Sequence, residues 1–232
     1  MDPNMFCQYV LRTTNVDAAR AFYTAILGEN LWSPEVSIAA LPEQAIARGA
    51  RPHWLGHIGI HDVEQTIERV IAEGGQPLGP RQEVDGAPMA VLRDPFGAIF
   101  ALRSKASGGS ASPMAMHVLH CRDHERAFAM YASLFNWVPK GVFDLGEHGI
   151  HQRFAWNESG PSIGSVANTA RASHVHPHWL HFFRVDDLES VVAKVRALSG
   201  AALPVTRTAE DDLVVACDDP EGAAFGLYQF AR

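Results

Sequence analysis

The chain has 232 residues, of which 47% are hydrophobic and 19% charged, and its formal net charge is −7 at pH 7. This length suits one large domain or two of ordinary size, and the composition is that of a globular protein. The acidic balance argues against a nucleic-acid surface, and no apolar run is long enough for a membrane helix. The start, MDPNMFCQYVLR, lacks the features of a signal peptide. We therefore expect a cytoplasmic monomer or homodimer that binds neither nucleic acid nor membranes.

The first predicted elements are a strand over residues 5–14 and a helix after it. Asn15 precedes the phrase VDAARAFYTAILG, whose apolar residues recur at helical spacing, and Gly28 closes it. Asn accepts a hydrogen bond from a first-turn N–H, and Gly tolerates the left-handed backbone that ends many helices. The phrase returns 108 residues later, where Asp123 takes the place of Asn15 and Asn136 that of Gly28.

A second, stronger repeat relates residues 52–102 to residues 177–227, with a shift of 125 and 16 identities in 51 positions. Both copies begin with Pro-His-Trp-Leu, place Asp62 or Asp187 before a helical pattern, and end with Asp-Pro-x-Gly before a strand. Fixed-period similarity of this kind indicates repeated structural units. The two repeats together predict an α+β fold of four βαβββ modules, numbered 1 to 4 along the chain.

Module 1 is shorter than module 3. SIAALP at Ser37 aligns with SIGSVA at Ser162 by the shift of 125, whereas the preceding helices align by 108, so 17 residues are missing from module 1. The matching stretch of module 3 reads as two strands around a Gly-Glu-His-Gly turn. We predict that module 1 has lost most of a β-hairpin and that the C-terminal half holds the more complete pocket.

Domain boundaries follow from the repeat. We predict an N-terminal domain over residues 1–104 and a C-terminal domain over residues 114–232. The linker between them, residues 105–113, is rich in Gly and Ser and is flexible by composition.

Four modules with AFYTAILG in the first helix and DPFGAIFAL closing the second module resemble the vicinal oxygen chelate superfamily. This superfamily includes glyoxalase I, bleomycin-resistance proteins and extradiol dioxygenases, and the resemblance covers nearly the whole chain. It implies two tandem glyoxalase-like domains whose curled sheets form cups, with ligands held inside a cup. Fold resemblance alone does not define the reaction.

The resemblance also implies where a metal ion would bind. Metal-dependent members carry His, Gln or Glu in the first strand of a module and Glu or His in its last strand. The matching positions here are Gln8, Leu55, Met116 and Leu180 in first strands, and Ala101 and Gly226 in last strands. Since a divalent ion needs three or more N or O ligands, we expect no metal and no other cofactor. The alternative is a divalent metal such as Zn, Fe, Mn or Ni on relocated ligands, perhaps at Gln8, His57 and His120.

Strand alternation predicts which side chains face a cup. We predict ligand binding by one aromatic and five polar side chains: Gln8, Arg12, His57, His120, Phe182 and Arg184. An apolar pocket with few polar groups is the usual form of a small-molecule site. The structural alternatives are that Arg12, His120 and Arg184 lie in water at sheet edges, and that His57 is a hydrogen-bonded core histidine. We interpret the histidines of SHVHPHWLH, residues 174–182, as solvated or capping groups.

The predicted partner is a small organic molecule, bound in a cup without the family's metal, as the bleomycin-resistance branch implies. A metal-dependent glyoxalase- or dioxygenase-type lyase, isomerase or oxidoreductase is the alternative. A third possibility is a metal-free enzyme with His57 as general base. The sequence assigns no catalytic residue and leaves open whether the protein is an enzyme.

Overall fold

A computed structural model of the chain describes residues 4–84, 86–104, 114–146 and 149–231. The predicted linker, residues 105–113, and two residues of the predicted Gly-Glu-His-Gly turn lie outside this range. The helices are α1 (Val16–Leu27), α2 (Glu43–Ala47), α3 (Val63–Ala72), α4 (His124–Phe135) and α5 (Leu188–Ala197), with 3-10 turns at Glu29–Leu31 and Asn168–Arg171. In the part of the chain that is described, no helix is long and apolar enough to cross a membrane.

The strands form two mixed sheets, which confirms the predicted α+β class of two tandem glyoxalase-like domains. The strands are β1 (Met5–Thr13), β2 (Val36–Ala40), β3 (His53–Ile60), β4 (Gln76–Pro77), β5 (Gln82–Val84), β6 (Ala87–Arg93), β7 (Ile99–Ser104), β8 (Met114–His120), β9 (Val138–Asp144), β10 (Ile150–Ala155), β11 (Gly164–Ala167), β12 (His178–Arg184), β13 (Ala201–Ala202), β14 (Thr206–Arg207), β15 (Leu213–Asp218) and β16 (Ala224–Gln229). One sheet has the order β2-β1-β3-β7-β6-β4, with β5 paired to β6. The other has the order β13-β15-β16-β12-β8-β11-β10-β9, with β14 paired to β15.

Each of the four long helices begins as the repeat predicts. The side chains of Asn15, Asp62, Asp123 and Asp187 each accept a hydrogen bond from the backbone N–H three residues later. Such a cap stabilises a helix by about 1 kcal/mol relative to Ala. Asn136 adopts a left-handed conformation after α4 (φ 60°), which confirms the predicted helix end.

Module 1 lacks the hairpin that module 3 contains. In module 1, a 3-10 turn and a short loop join α1 to β2, whereas β9 and β10 form an antiparallel pair in module 3. The predicted alignment of the last strands is wrong by three residues. Val36 pairs with Tyr9, and Gly164 pairs with His117, so β2 and β11 correspond at a shift of 128. Module 1 is therefore 20 residues shorter than module 3 between helix and strand, not 17.

The chain divides into two compact units. The first contains the described residues of 1–7, 56–110 and 117–179, and therefore modules 2 and 3. The second contains those of 8–55, 111–116 and 180–232, and therefore modules 1 and 4. The domain boundaries predicted from the repeat, residues 1–104 and 114–232, stay a prediction.

A buried Trp-Tyr-Asp network lies in the core of the first unit. The Tyr131 hydroxyl on α4 donates to Oδ2 of Asp94 at 2.9 Å and accepts from the indole N–H of Trp179 at 3.1 Å. Oδ1 of Asp94 accepts the backbone N–H groups of Phe96 and Ala98, so the same carboxylate closes its Asp-Pro-Phe-Gly turn. Burial raises the pKa of Asp94, and these hydrogen bonds oppose that shift.

The second unit repeats this network with the corresponding residues. The Tyr23 hydroxyl donates to Oδ2 of Asp219 at 3.2 Å and accepts from the indole N–H of Trp54 at 2.9 Å. The Asp-Pro-x-Gly motif is thus more than the turn that its sequence predicts. Its aspartate joins the last strand of one module to the helix of another within each unit.

Candidate functional site

The two faces of the sheet in module 3 differ in character. On one face Phe154 of β10 stacks on Trp137 with ring centroids 4.6 Å apart, and Trp137 stacks on Tyr131 of α4. Residues alternate along a strand, so His151 and Arg153 of β10 point to the opposite face. That face, turned away from α4, is the one predicted to carry ligand-binding side chains.

Three histidines follow one another across this face. His120 of β8 and His151 of β10 both pair in register with Ala167 of β11, so the three residues lie side by side across three strands. The ring of His178 on β12 stacks on that of His120, with centroids 4.7 Å apart. We call His178, His120 and His151 the histidine row. His176 extends it, because its ring stacks on the other side of His178 at 4.6 Å.

Hydrogen bonds hold each ring of the histidine row. Nδ1 of His178 lies 2.8 Å from the backbone carbonyl oxygen of His176. Nδ1 of His120 lies 2.6 Å from the hydroxyl of Thr169, and Nδ1 of His151 lies 2.9 Å from the hydroxyl of Ser165. In each ring the contact uses Nδ1 and leaves Nε2 as the second polar atom of the imidazole.

The histidine row is electrically neutral at physiological pH. Burial lowers the pKa of His178 to about 4, with a further lowering by His176 that the hydrogen bond to the backbone opposes. Burial also lowers the pKa of His120 well below its ordinary value, and His178, His151 and His176 add to this effect. A proton on one ring disfavours a proton on the next because like charges repel. The row therefore presents imidazoles and not imidazolium ions.

A fixed cation lies beside the histidine row. The guanidinium carbon of Arg153 lies 4.3 Å from the ring centroid of Phe143, which pairs in register with His151. Cation–π contact of this kind holds an arginine over an aromatic face. This face of the first unit therefore combines neutral imidazoles, one aromatic ring and one guanidinium.

Of the six predicted site residues, the first unit contains His57 and His120. His120 belongs to the histidine row. His57 is buried, with 3% of its surface exposed, and pairs in register with Ala101 of β7. Its backbone carbonyl accepts a hydrogen bond from the Cys7 thiol at 3.5 Å. The arrangement is that of a core histidine, and a role in ligand binding stays a prediction.

Gln8 and Arg12 lie on β1 in the second unit. The Gln8 side-chain amide donates to the backbone carbonyl of Pro34 at 2.9 Å. Arg12 lies near His53, whose pKa is lowered by burial and then by the charge of Arg12.

Phe182 and Arg184 lie on β12 in the second unit. Arg184 is exposed and stacks over Phe230 at 4.8 Å. Phe182 is buried and covers Gly226, where an added Cβ atom would lie 2.1 Å from Cδ1 of Phe182. The structure therefore separates the predicted residues into distinct places and does not bring the six together.

The side chains present do not fit the family's metal ion. At Gly226, the last-strand position of module 4, the Phe182 ring already fills the space of a side chain. Ala101 and Leu180 offer no donor atoms either. Among the residues that the structure describes, no group of three or more His, Cys, Asp or Glu side chains is placed to hold a metal ion. The stacked rings agree with this, because stacking does not point imidazole nitrogens at a common centre.

Sequence reasoning missed most of the histidine row. His178 belongs to the repeated Pro-His-Trp-Leu phrase and was interpreted as a structural entry to its strand, and His151 lies in the hairpin that module 1 lacks. The signal that could have found them is strand alternation from His120, which points His151 to the same face once the register is known.

Four βαβββ modules with curled mixed sheets define a tandem glyoxalase-type protein. Residues 114–227 match the family model of the Glyoxalase/Bleomycin resistance protein/Dioxygenase superfamily. The chain belongs to this superfamily, which confirms the family resemblance.

Known relatives extend the likeness to the whole chain. CFP32 of Mycobacterium bovis, which carries a glyoxylase name, is 24% identical over 94% of this chain and 91% of its own. The anthracycline biosynthesis protein DauV of Streptomyces sp. strain C5 is 25% identical over 76% of this chain and 65% of its own. The 2,3-dioxygenase LapB of Pseudomonas sp. KL28 matches with a TM-score of 0.67 at 10% identity, over 100% of this chain and 94% of its own. The likeness to LapB concerns the fold alone.

Proposed function

We propose that the protein binds a small organic molecule on the face that carries the histidine row, without the family's metal. The observation that carries this proposal is the stack of His176, His178 and His120, with centroids 4.6 and 4.7 Å apart. Polar groups that are held by hydrogen bonds beside aromatic surface are typical of small-molecule sites. This face lies in module 3, within the half for which we predict the more complete pocket.

The metal-free part of the proposal rests on the replaced ligand positions. Phe182 packs against Gly226, and Ala101 pairs with His57, so each last-strand position lies beside a ring and carries no carboxylate. Without an ion, affinity must come from burial of apolar surface, about 25 cal/mol per Å², and from hydrogen bonds to the imidazoles. We keep a cytoplasmic location and a monomeric or dimeric state as part of the proposal.

The ligand that best suits this face is planar and hydroxylated. Stacked rings continue favourably into another flat ring, and neutral imidazoles exchange hydrogen bonds with hydroxyl groups. The name of DauV places that relative in anthracycline biosynthesis, and anthracyclines are flat, polycyclic phenols. We therefore use catechol as a small probe and an anthracycline as a large one.

Calorimetric titration of chelator-treated protein with both probes tests the proposal. We expect saturable binding to the wild type, and a loss of at least tenfold in affinity for His120→Ala, which removes one stacked ring and its hydrogen bond. His53→Ala is the matched control, because His53 occupies the position of His178 in the other copy of the repeat and should leave the affinity unchanged. Circular dichroism confirms that both variants fold.

The metal-dependent alternative predicts a different result. Elemental analysis of protein purified without chelator would then show one Zn, Fe, Mn or Ni ion per chain, and binding would fail after chelation. A stoichiometric ion would overturn the metal-free proposal. We expect less than about 0.1 ion per chain, because the family's positions lack the three donors that a divalent site needs.

A further inference from the structure

One backbone hydrogen bond determines which nitrogen of His178 carries a proton. Nδ1 of His178 lies 2.8 Å from the carbonyl oxygen of His176. A carbonyl oxygen can only accept, so Nδ1 must carry the hydrogen, and in the neutral ring Nε2 then holds a lone pair. The same bond occurs in the second unit, where Nδ1 of His53 lies 2.7 Å from the carbonyl oxygen of Arg51. The repeated phrase therefore builds the same tautomer twice.

The two copies differ in what surrounds this histidine. In the second unit the positions that correspond to His120 and His176 are occupied by Arg12 and Arg51, so cations accompany His53. In the first unit both positions are histidines, and their rings stack on the two faces of His178. Only the first unit thus surrounds this lone pair with neutral, flat groups.

Nε2 of His178 is available to a ligand. Within the described residues no hydrogen bond to this atom is seen, and the side chain is partly exposed. An acceptor of this kind requires a donor from the ligand. A carboxylate has no proton to give at neutral pH, whereas a phenolic hydroxyl has one and also supplies a flat ring.

We propose that Nε2 of His178 accepts a hydrogen bond from the hydroxyl group of a planar phenol, and that this contact selects phenols over their ethers. The inference rests on the proposed function and names the chemical class of its ligand. The neutral stack of His176, His178 and His120 orients the acceptor. His178 is a binding residue in this inference, and no proton transfer is required.

The test compares catechol with 1,2-dimethoxybenzene, which has the same ring but no hydroxyl hydrogen. For the wild type at pH 7 we expect calorimetry to give about tenfold tighter binding of catechol, the usual effect of one hydrogen bond. In His178→Asn the side-chain amide retains a donor near the position of Nδ1 and loses the acceptor at Nε2. The ratio of the two affinities should then fall to about one. His53→Asn should keep the wild-type ratio.

A second measurement uses the wild-type protein and does not depend on how a variant folds. The ¹⁵N NMR signal of His178 Nε2 should move on addition of catechol and stay in place with 1,2-dimethoxybenzene. An unchanged signal with bound catechol, or a tenfold ratio retained in His178→Asn, would overturn the inference and leave the proposed function standing. Failure of both probes to bind the wild type would overturn both.

Discussion

The imidazole rings of His120 and His178 stack with their centroids 4.7 Å apart and their planes 26° from parallel. The corresponding pair in the other half of the repeat is Arg12 and His53, where the guanidinium lowers the pKa of the imidazole. Duplication has therefore kept one histidine and its backbone hydrogen bond while its partner changed from a cation to a neutral ring. The two faces that descend from one ancestral site now differ in charge.

Exchange of these partners should move the pKa of each histidine in a known direction. Arg12→His removes a permanent positive charge beside His53, so we expect the pKa of His53 to rise. His120→Arg brings a guanidinium to the stack, so the pKa of His178 should fall below about 4. NMR titration of the imidazole Cε1–H signals measures both. If the pKa of His53 stays the same in Arg12→His, the electrostatic coupling within this pair is negligible.

His117 should make the stability of the protein depend on pH. Burial lowers the pKa of His117 from 6.5 to about 3. The unfolded chain therefore binds a proton that the folded chain refuses, and the stability that His117 contributes above pH 6.5 is lost as the pH falls toward 3. Between pH 7 and pH 5 this amounts to about 2 kcal/mol.

The matched variant is His117→Phe, whose ring suits the neighbouring rings of Phe6 and Trp156. Urea unfolding at pH 7 and pH 5 should show a smaller decrease in the free energy of unfolding for this variant, by about 2 kcal/mol. Because each protein is compared with itself at two pH values, the packing change cancels. Equal decreases for both proteins would show that His117 is protonated in the folded state.

The fold could be predicted from the sequence because its signals are local and repeated. The caps at Asn15 and Asp123, the helical spacing after them and the shift of 125 each depend on neighbouring residues alone. The three-residue error in module 1 arose because the short segment between α1 and β2 has no repeat to align, and only strand register resolves it.

The candidate site was harder to predict. The histidine row depends on which strands lie side by side, and β12, β8, β11 and β10 are adjacent in space but not consecutive in sequence. His178 was interpreted as structural because His53 repeats it, and that interpretation holds for the backbone hydrogen bond. What differs between the copies is the side chain that stacks on the ring, which no local pattern reveals.

The Trp-Tyr-Asp networks should be major contributors to stability. Tyr131→Phe removes the donor to Asp94 Oδ2 and the acceptor for the Trp179 indole, at a buried site. Loss of a partner for buried polar groups, one of them charged, costs about 2 to 4 kcal/mol. We expect urea unfolding to show this loss, and a similar one for Tyr23→Phe, its counterpart in the second unit. A double variant, Tyr131→Phe with Trp179→Phe, should lose less than the sum, because the indole donor is then absent.

Gly226 should tolerate a side chain only if Phe182 is reduced in size. The Cβ atom of an alanine at this position would lie 2.1 Å from Cδ1 of Phe182 and 2.3 Å from its Cγ. Overpacking of a buried site costs about 1 to 3 kcal/mol, so Gly226→Ala should lower the free energy of unfolding by that amount. In a Phe182→Leu background the same change should cost less than 1 kcal/mol, and the difference measures the coupling of the two positions. Ala101→Gly, at the matching position of module 2, serves as the control for the loss of a Cβ atom. Equal costs of Gly226→Ala in the two backgrounds would show that Phe182 does not close this position, and the steric part of the argument against a last-strand carboxylate would fail.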